Sequence, residues 1–271
     1  MLELLQYEFI RNAILAAFLA SVACGIVGVY VVVNRIVFLS DGISHAAFGG
    51  IGVGCFLGLN PIYSAIAFSI AVAVGVGASS KKLGAREDTV IGVIWALGMA
   101  VGIVFIKLTP GYVPDLFSYL FGNILTVPRS DLLVMLVLDI ILVLIVALFF
   151  KELLAISFDR EFAQTLRVPV NIIHSILLTL VAITVVMLIR VVGVILVMAL
   201  LTIPAAVSEI FTKRLSQVML GAVAFSLLFT LLGLWLSYLT NLPSGATIVL
   251  LASVVFFLTL LYGRQVRRRG S

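Results

Sequence analysis

Long apolar runs follow one another along almost the whole chain, separated by short polar or charged breaks. Each run has about the 20 residues that a helix needs to cross a bilayer, and none shows the alternation that is typical of membrane strands. The pattern therefore predicts an all-α integral membrane protein, a polytopic helical bundle of about nine (eight to ten) transmembrane helices. The runs cover residues 13–33, 36–59, 62–80, 89–106, 132–150, 170–189, 191–211, 218–239 and 246–262.

Composition supports a lipid environment for most side chains. Of the 271 residues, 63% are hydrophobic and 11% are charged, and the mean hydropathy is +1.31. Soluble domains carry about 25% charged residues, so this chain has too few to cover a water-facing exterior. Short breaks leave no room for a separate catalytic domain, and residues 1–271 are predicted to form a single transmembrane domain.

Basic residues predict the orientation of the chain. In a scheme of nine spans, 13 of the 17 lysines and arginines, including the C-terminal arginine cluster, lie on one side of the membrane. The positive-inside rule makes that side cytoplasmic, which places the C-terminus inside. The number of transmembrane spans remains open because the stretch LFSYLFGNIL at 116–125 also fits a re-entrant segment. The net charge of +5 is scattered between apolar runs, which argues against a nucleic-acid partner.

One pair of ionisable residues inside the second run is a candidate metal-binding site. Asp41 and His45 stand four residues apart, so a helix would carry both on one face. A carboxylate and an imidazole suit zinc, manganese or iron, although one pair supplies only two ligands. In the alternative interpretation, Ser40 or Asp41 is the N-cap of a helix that starts at Gly42.

Small residues and three further ionisable groups complete the intramembrane pattern. Gly50, Gly54 and Gly58 recur every four residues after Ala46, and such a stripe permits close helix packing. Asp139, alone in an apolar run, is interpreted as a partnered structural acid. The two others, near the ends of spans, are accessible to water or lipid headgroups: His174 and Glu209.

The longest break, residues 151–169, contains a pattern of its own. Phe158, Phe162 and Leu166 recur every four residues, which predicts a short amphipathic helix that Pro169 closes. Such a helix either lies on lipid or binds a groove on a cytoplasmic partner, and its mixture of acids and bases favours the partner. The charged and polar positions on its other faces are Asp159, Arg160, Glu161, Gln164 and Arg167.

Nucleotide-binding and hydrolase motifs are missing from the sequence. It contains no GxxxxGK[ST], no HExxH and no GxSxG. The chain is therefore predicted to be a non-enzyme, and an ATP-driven transporter built on it would use a separate motor.

Six segments together resemble the membrane permease of ATP-driven importers for zinc, manganese or iron. They are NRIVFLSDGISHAAFGG at 34–50, EDTVIGVIWALGMAVGIV at 87–104, LFSYLFGNIL at 116–125, FDREFAQTLRVPV at 158–170, RVVGVILVMALLTIPAA at 190–206 and NLPSGATIVL at 241–250. The resemblance implies a homodimeric multi-pass permease in a bacterial or archaeal cytoplasmic membrane.

The same resemblance implies partners and site residues. Two copies of a cytoplasmic ABC ATPase would use the ATP, an extracytoplasmic metal-binding protein would deliver the metal, and the permease would hold no permanent cofactor. The metal ion would be the transported substrate. Asp41 and His45 correspond to the family's pathway-lining metal residues, and 158–168 to the coupling helix that docks on the ATPase.

Three alternatives remain at this point. One is a permease for a metal chelate such as a siderophore or cobalamin. Another is a secondary transporter that couples a proton through Asp139 or His45. The third, a membrane scaffold without transport, gives no reason for ionisable groups inside a span.

Overall fold

The computed structural model describes residues 6–83, 87–110, 122 and 124–269. Within these ranges the chain is helical apart from short links, and no strand occurs in them. The helices are α1 (Glu8–Val33), α2 (Val37–Phe56), α3 (Pro61–Leu83), α4 (Glu87–Leu108), α5 (Arg129–Leu148), α6 (Phe150–Phe158), α7 (Arg160–Thr165), α8 (Val170–Val192), α9 (Val194–Phe211), α10 (Leu215–Thr240) and α11 (Ser244–Arg269).

Each of the nine predicted apolar runs lies largely on one of the long helices, which confirms the all-α membrane fold. Seven of these helices are long and apolar enough to span a bilayer: α1, α4, α5, α8, α9, α10 and α11. In α2, Asp41 and His45 lower the mean hydropathy, and in α3 the segment Pro61–Val76 is apolar. Most of the predicted 116–125 stretch lies outside the described residues.

The ends of α8 and α10 account for two of the breaks between the predicted apolar runs. Sequence alone separated the sixth and seventh runs at Arg190, but this residue lies inside α8, and the break falls at Gly193 with φ of +80°. Glycine adopts this conformation without the strain that a Cβ would bring. Asn241, at the predicted break after the eighth run, ends α10 in the left-handed region with φ of +54°, as asparagine tolerates.

One compact unit comprises Met1–Val32, Leu120–Ile140 and Val191–Ser271. Its core includes the buried side chains of Val207, Phe229 and Ala252, one each from α9, α10 and α11. Near the start of α1, the Arg129 guanidinium pairs with Glu8 at 2.7 Å. This unit positions neither of the two sites predicted from sequence.

The second compact unit comprises Val33–Tyr119 and Ile141–Arg190. It contains α2, which packs along α3 and α4, and it also contains α6, α7 and most of α8. Both segments for which the sequence predicts function, the Asp41–His45 pair and residues 151–169, therefore belong to this unit. That residues 1–271 act as a single transmembrane permease domain stays a prediction.

Candidate functional site

The start of α2 decides between the two interpretations of Asp41. Helix α2 begins at Val37, its N-cap is Ile36, and no side chain caps it. Asp41 is therefore in the second turn, and the interpretation of Ser40 or Asp41 as an N-cap is wrong. Ser40 donates instead to the Val37 carbonyl, 2.7 Å away within the same helix.

Asp41 and His45 lie together on one face of α2. His45 Nε2 is 3.6 Å from Asp41 Oδ1, and the side chains are 15% and 23% exposed, respectively. That separation exceeds an ordinary hydrogen bond but lets both groups approach one cation. Their partial exposure leaves the pair accessible from one side. Among the described residues, no group of three or more His, Cys, Asp or Glu side chains could hold a metal.

Trp95 on α4 makes an aromatic contact with His45. The Trp95 indole stacks on the imidazole with ring centroids 4.5 Å apart and an interplanar angle of 25°. Phe48, nearly one turn along α2, lies 6.3 Å from the same ring. His45 Nδ1 is buried and has no hydrogen-bond partner in the described part of the chain. Sequence reasoning missed Trp95, although the residue lies within the 87–104 segment.

Glycines bring α2 and α4 close enough for this contact. A Cβ on Gly98 would lie 2.6 Å from the Ala46 Cα, and one on Gly102 would lie 2.6 Å from the Phe48 carbonyl oxygen. The helix backbones thus touch where side chains normally separate them. The resulting register places Trp95, about one turn before Gly98, beside His45.

The predicted glycine stripe divides between two roles. Gly50 and Gly54 face α3, where an added Cβ would lie 2.7 Å from the Ala65 Cα and the Ser64 Cβ, respectively. Gly58 differs from its predicted packing role. It lies beyond Leu57, the C-cap of α2, with φ of +67°, and an added Cβ would meet no atom within 4 Å. Gly58 forms the turn towards α3 instead.

We expect a Gly98→Val variant to destabilise the protein, because the valine side chain would push against the Ala46 backbone. Overpacking of this kind costs typically about 1–3 kcal/mol, so the detergent-solubilised protein should unfold several degrees lower. Gly92→Val is the matched control. It makes the same change on the same helix, where an added Cβ meets no atom within 4 Å. Equal melting temperatures for the two variants would contradict the close α2–α4 contact.

The other intramembrane ionisable groups lie apart from the pair in sequence and differ in burial. Asp139 on α5 is 4% exposed, and neither carboxylate oxygen has a hydrogen-bond partner among the described residues. This differs from the prediction of a partnered acid. Glu209 is exposed near the end of α9, where its carbonyl accepts a hydrogen bond from Lys213. His174, in the second turn of α8, is partly exposed.

Residues 151–169 form two short helices rather than one. Phe158 ends α6, and Asp159 then adopts an extended conformation with φ of −153°. The Asp159 carboxylate caps α7 by accepting hydrogen bonds from the Glu161 and Phe162 amides, both at 2.9 Å. The prediction of a single amphipathic helix with one apolar stripe is therefore wrong, because Phe158 lies on α6 and Phe162 lies on α7.

Helix α7 nevertheless presents apolar side chains outward. Phe162 and Leu166 are each 58% exposed, whereas Ala163 between them is fully buried and anchors the helix. Beside α7 lies an open cavity of about 530 Å³, lined by Gln164 and residues 167–172. The segment thus combines an exposed apolar patch with an adjoining concave surface.

A hydrogen bond connects this segment to the turn before α2. Asn34 Nδ2 donates to Ser157 Oγ over 2.9 Å. Asn34 lies in the turn that leads into α2, and Ser157 is the penultimate residue of α6. The hydrogen bond thus joins the end of α6 to the turn that precedes Asp41 and His45 in the chain.

The match to a protein-family model covers nearly the whole chain. Residues 6–263 match the model described as the ABC 3 transport family, and the chain belongs to that family. An uncharacterized membrane protein from Synechocystis sp. is 48% identical, covering 97% of this chain and 94% of the relative. The family match establishes a multi-pass membrane transport protein.

A further relative and a solved structure indicate the class of transport protein to which the chain is similar. The manganese transport system membrane protein MntC from Listeria monocytogenes is 34% identical, covering 96% of this chain and 92% of the relative. The structure of PsaBC from Streptococcus pneumoniae in complex with Fab matches with a TM-score of 0.85 and 31% identity, covering 94% of this chain and 92% of that chain. These matches confirm the resemblance to metal ABC importer permeases that the sequence predicted.

Proposed function

We propose that this chain is the permease subunit through which an ABC importer moves a divalent transition metal into the cell, with manganese as the first candidate. The observation that carries the proposal is the Asp41–His45 pair on α2, in a chain of the ABC 3 transport family. A carboxylate and an imidazole are suitable ligands for manganese, zinc and iron. The name of the Listeria monocytogenes relative favours manganese among them.

The transport pathway would form between two copies of the chain. A single chain supplies two ligands, and the described residues offer no larger group of metal-binding side chains. A twofold axis next to α2 would bring a second Asp41 and His45 to the same ion. Four ligands from two subunits would then complete a transient site from which the metal can still leave.

Helix α7 would couple the permease to the energy source. The exposed Phe162 and Leu166, next to the charged Arg160 and Glu161, form a surface of the kind that binds a groove on a partner protein. We propose that the partner is a cytoplasmic ABC ATPase dimer. In this arrangement the permease itself hydrolyses no ATP, and the Asn34–Ser157 hydrogen bond passes movement of the helices to α2.

The orientation of the chain, the delivery of the metal and the lack of a permanent cofactor follow from the same proposed function. The positive-inside rule places residues 151–169 and the C-terminus in the cytoplasm. The opposite face of the permease would receive metal from an extracytoplasmic binding protein. Metal ions would enter as transported substrate, and the permease would retain no cofactor between cycles.

Uptake into vesicles that contain the permease and its ABC ATPase, supplied with the extracytoplasmic metal-binding protein, tests this function. We expect ATP-dependent uptake of free manganese, since the pathway ligands bind the ion directly. Removal of ATP, or a catalytically inactive ATPase, should reduce uptake to background. Uptake that persists without ATP would instead support the proton-coupled transporter, and uptake of a metal chelate but not of free metal would support the chelate permease. Either result would overturn the proposal.

A further inference from the structure

The imidazole of His45 lacks the contact that usually fixes a metal-binding histidine. Such a histidine generally donates its second ring N–H to a carboxylate or carbonyl oxygen, and that hydrogen bond sets the orientation of the ring. Here Nε2 faces Asp41, while Nδ1 is buried without a hydrogen-bond partner in the described residues. Within the described part of the chain, a contact other than a hydrogen bond is therefore needed to hold the ring in place.

The Trp95 indole is the side chain that meets this need. Its ring lies nearly parallel to the imidazole, 4.5 Å away between centroids. A parallel stack restricts rotation about the last side-chain torsion, because turning the ring would push its edge into the indole. The contact leaves both nitrogens at the ring edge, where Nε2 stays directed towards Asp41.

We propose that Trp95 is a positioning residue for metal binding at His45, an inference that rests on the proposed function of the Asp41–His45 pair. The indole holds the imidazole so that Nε2 and the Asp41 carboxylate reach the same ion. Coordination withdraws electrons from the imidazole, and the electron-rich face of tryptophan attracts the resulting partial positive charge. The stack is thus stronger in the metal-bound state than in the free state.

The exposure of Trp95 distinguishes this role from core packing. The side chain is 41% exposed, whereas large residues that fill the core of the protein, such as Phe48, are almost fully buried. Close packing of α2 on α4 is supplied by glycines such as Gly98 and Gly102. Replacing the indole therefore removes the ring contact and leaves the helix interface in place.

Uptake kinetics of the complete transporter provide the first test. For Trp95→Leu we expect the KM for manganese to rise about 10-fold or more, the usual effect of losing an orienting contact behind a metal ligand, with little change in maximal rate. Trp95→Phe preserves a stacked ring and should stay within about 2-fold of wild type, following the same expectation. The chain has one other tryptophan, the exposed Trp235 on α10, and Trp235→Leu is the matched control.

The outcomes separate this inference from the proposed function. An unchanged KM in Trp95→Leu, or an equal loss in Trp95→Phe and Trp95→Leu, would overturn the positioning role while leaving the transport function intact. Unimpaired uptake by both Asp41→Ala and His45→Ala would instead overturn the proposed metal role of the pair, on which this inference rests. A rise in KM with Trp95→Leu, rescued by Trp95→Phe, supports the inference.

Tryptophan fluorescence of the full-length chain gives a readout that does not depend on transport. In a Trp235→Phe background, Trp95 is the sole tryptophan, so emission reports on its surroundings alone. Manganese ions should quench this emission saturably, and His45→Ala in the same background should remove the saturable component. Absence of saturable quenching in Trp235→Phe protein that transports manganese would overturn the proposal.

Discussion

Replacing Asp41 or His45 by alanine is expected to abolish metal uptake while the permease still assembles with its partners. Each change would remove one of the two metal ligands that we propose for a chain, and in the proposed dimer it would remove that ligand twice. Loss of a residue behind a metal ligand already costs about 10-fold to 100-fold in affinity or activity, so loss of the ligand should cost at least about 100-fold. Radioactive or fluorescent uptake of manganese measures the effect.

A neighbour on the same helix provides the control for this experiment. Ser44 is buried beside His45 and donates to the Ser40 carbonyl one turn away, at 2.9 Å. Its hydroxyl is not one of the proposed metal ligands, so Ser44→Ala should transport at nearly the wild-type rate. Size-exclusion chromatography and co-purification with the ATPase would show that all three variants assemble. Unimpaired uptake by both Asp41→Ala and His45→Ala would refute the metal role of the pair.

Sequence pattern predicted the helices and the pair because both depend on local spacing. Apolar runs of bilayer length define helices without knowledge of their neighbours, and a separation of four residues places Asp41 and His45 on one face. Trp95 could not be found in this way. Its contact with His45 depends on the register between α2 and α4, which Gly98 and Gly102 set through backbone contacts with residues about 50 positions away.

Residues 151–169 show where periodicity alone fails. A repeat of four residues predicted one helix through Phe158, Phe162 and Leu166, but Asp159 interrupts it by capping α7. Aspartate is among the preferred N-cap residues, so the signal was present in the sequence. Spacing could not show that the chain uses this carboxylate to start a new helix instead of continuing the old one.

Helix α7 also yields a second large expected effect. A Phe162→Asn variant should lose most of its binding to the ABC ATPase and, with it, most ATP-dependent uptake. Burial of a phenylalanine side chain contributes about 1.5–3 kcal/mol, which corresponds to a loss of affinity of roughly 10-fold to 100-fold. In the proposed dimer two such helices would contact the ATPase, which would increase the effect. Co-purification and uptake measure binding and transport separately.

Two further variants show which property of the surface matters. Phe162→Leu keeps an apolar side chain at the 58% exposed position and should retain most ATPase binding. Glu161→Lys reverses a charge next to it without changing the apolar patch, and it should weaken binding if the partner presents basic groups there. Because Asp159 caps α7 through the backbone amides of both positions, neither substitution removes the cap. ATPase binding that is unchanged in Phe162→Asn would mean that α7 rests on the lipid surface, and the coupling role would then have to lie elsewhere in the chain.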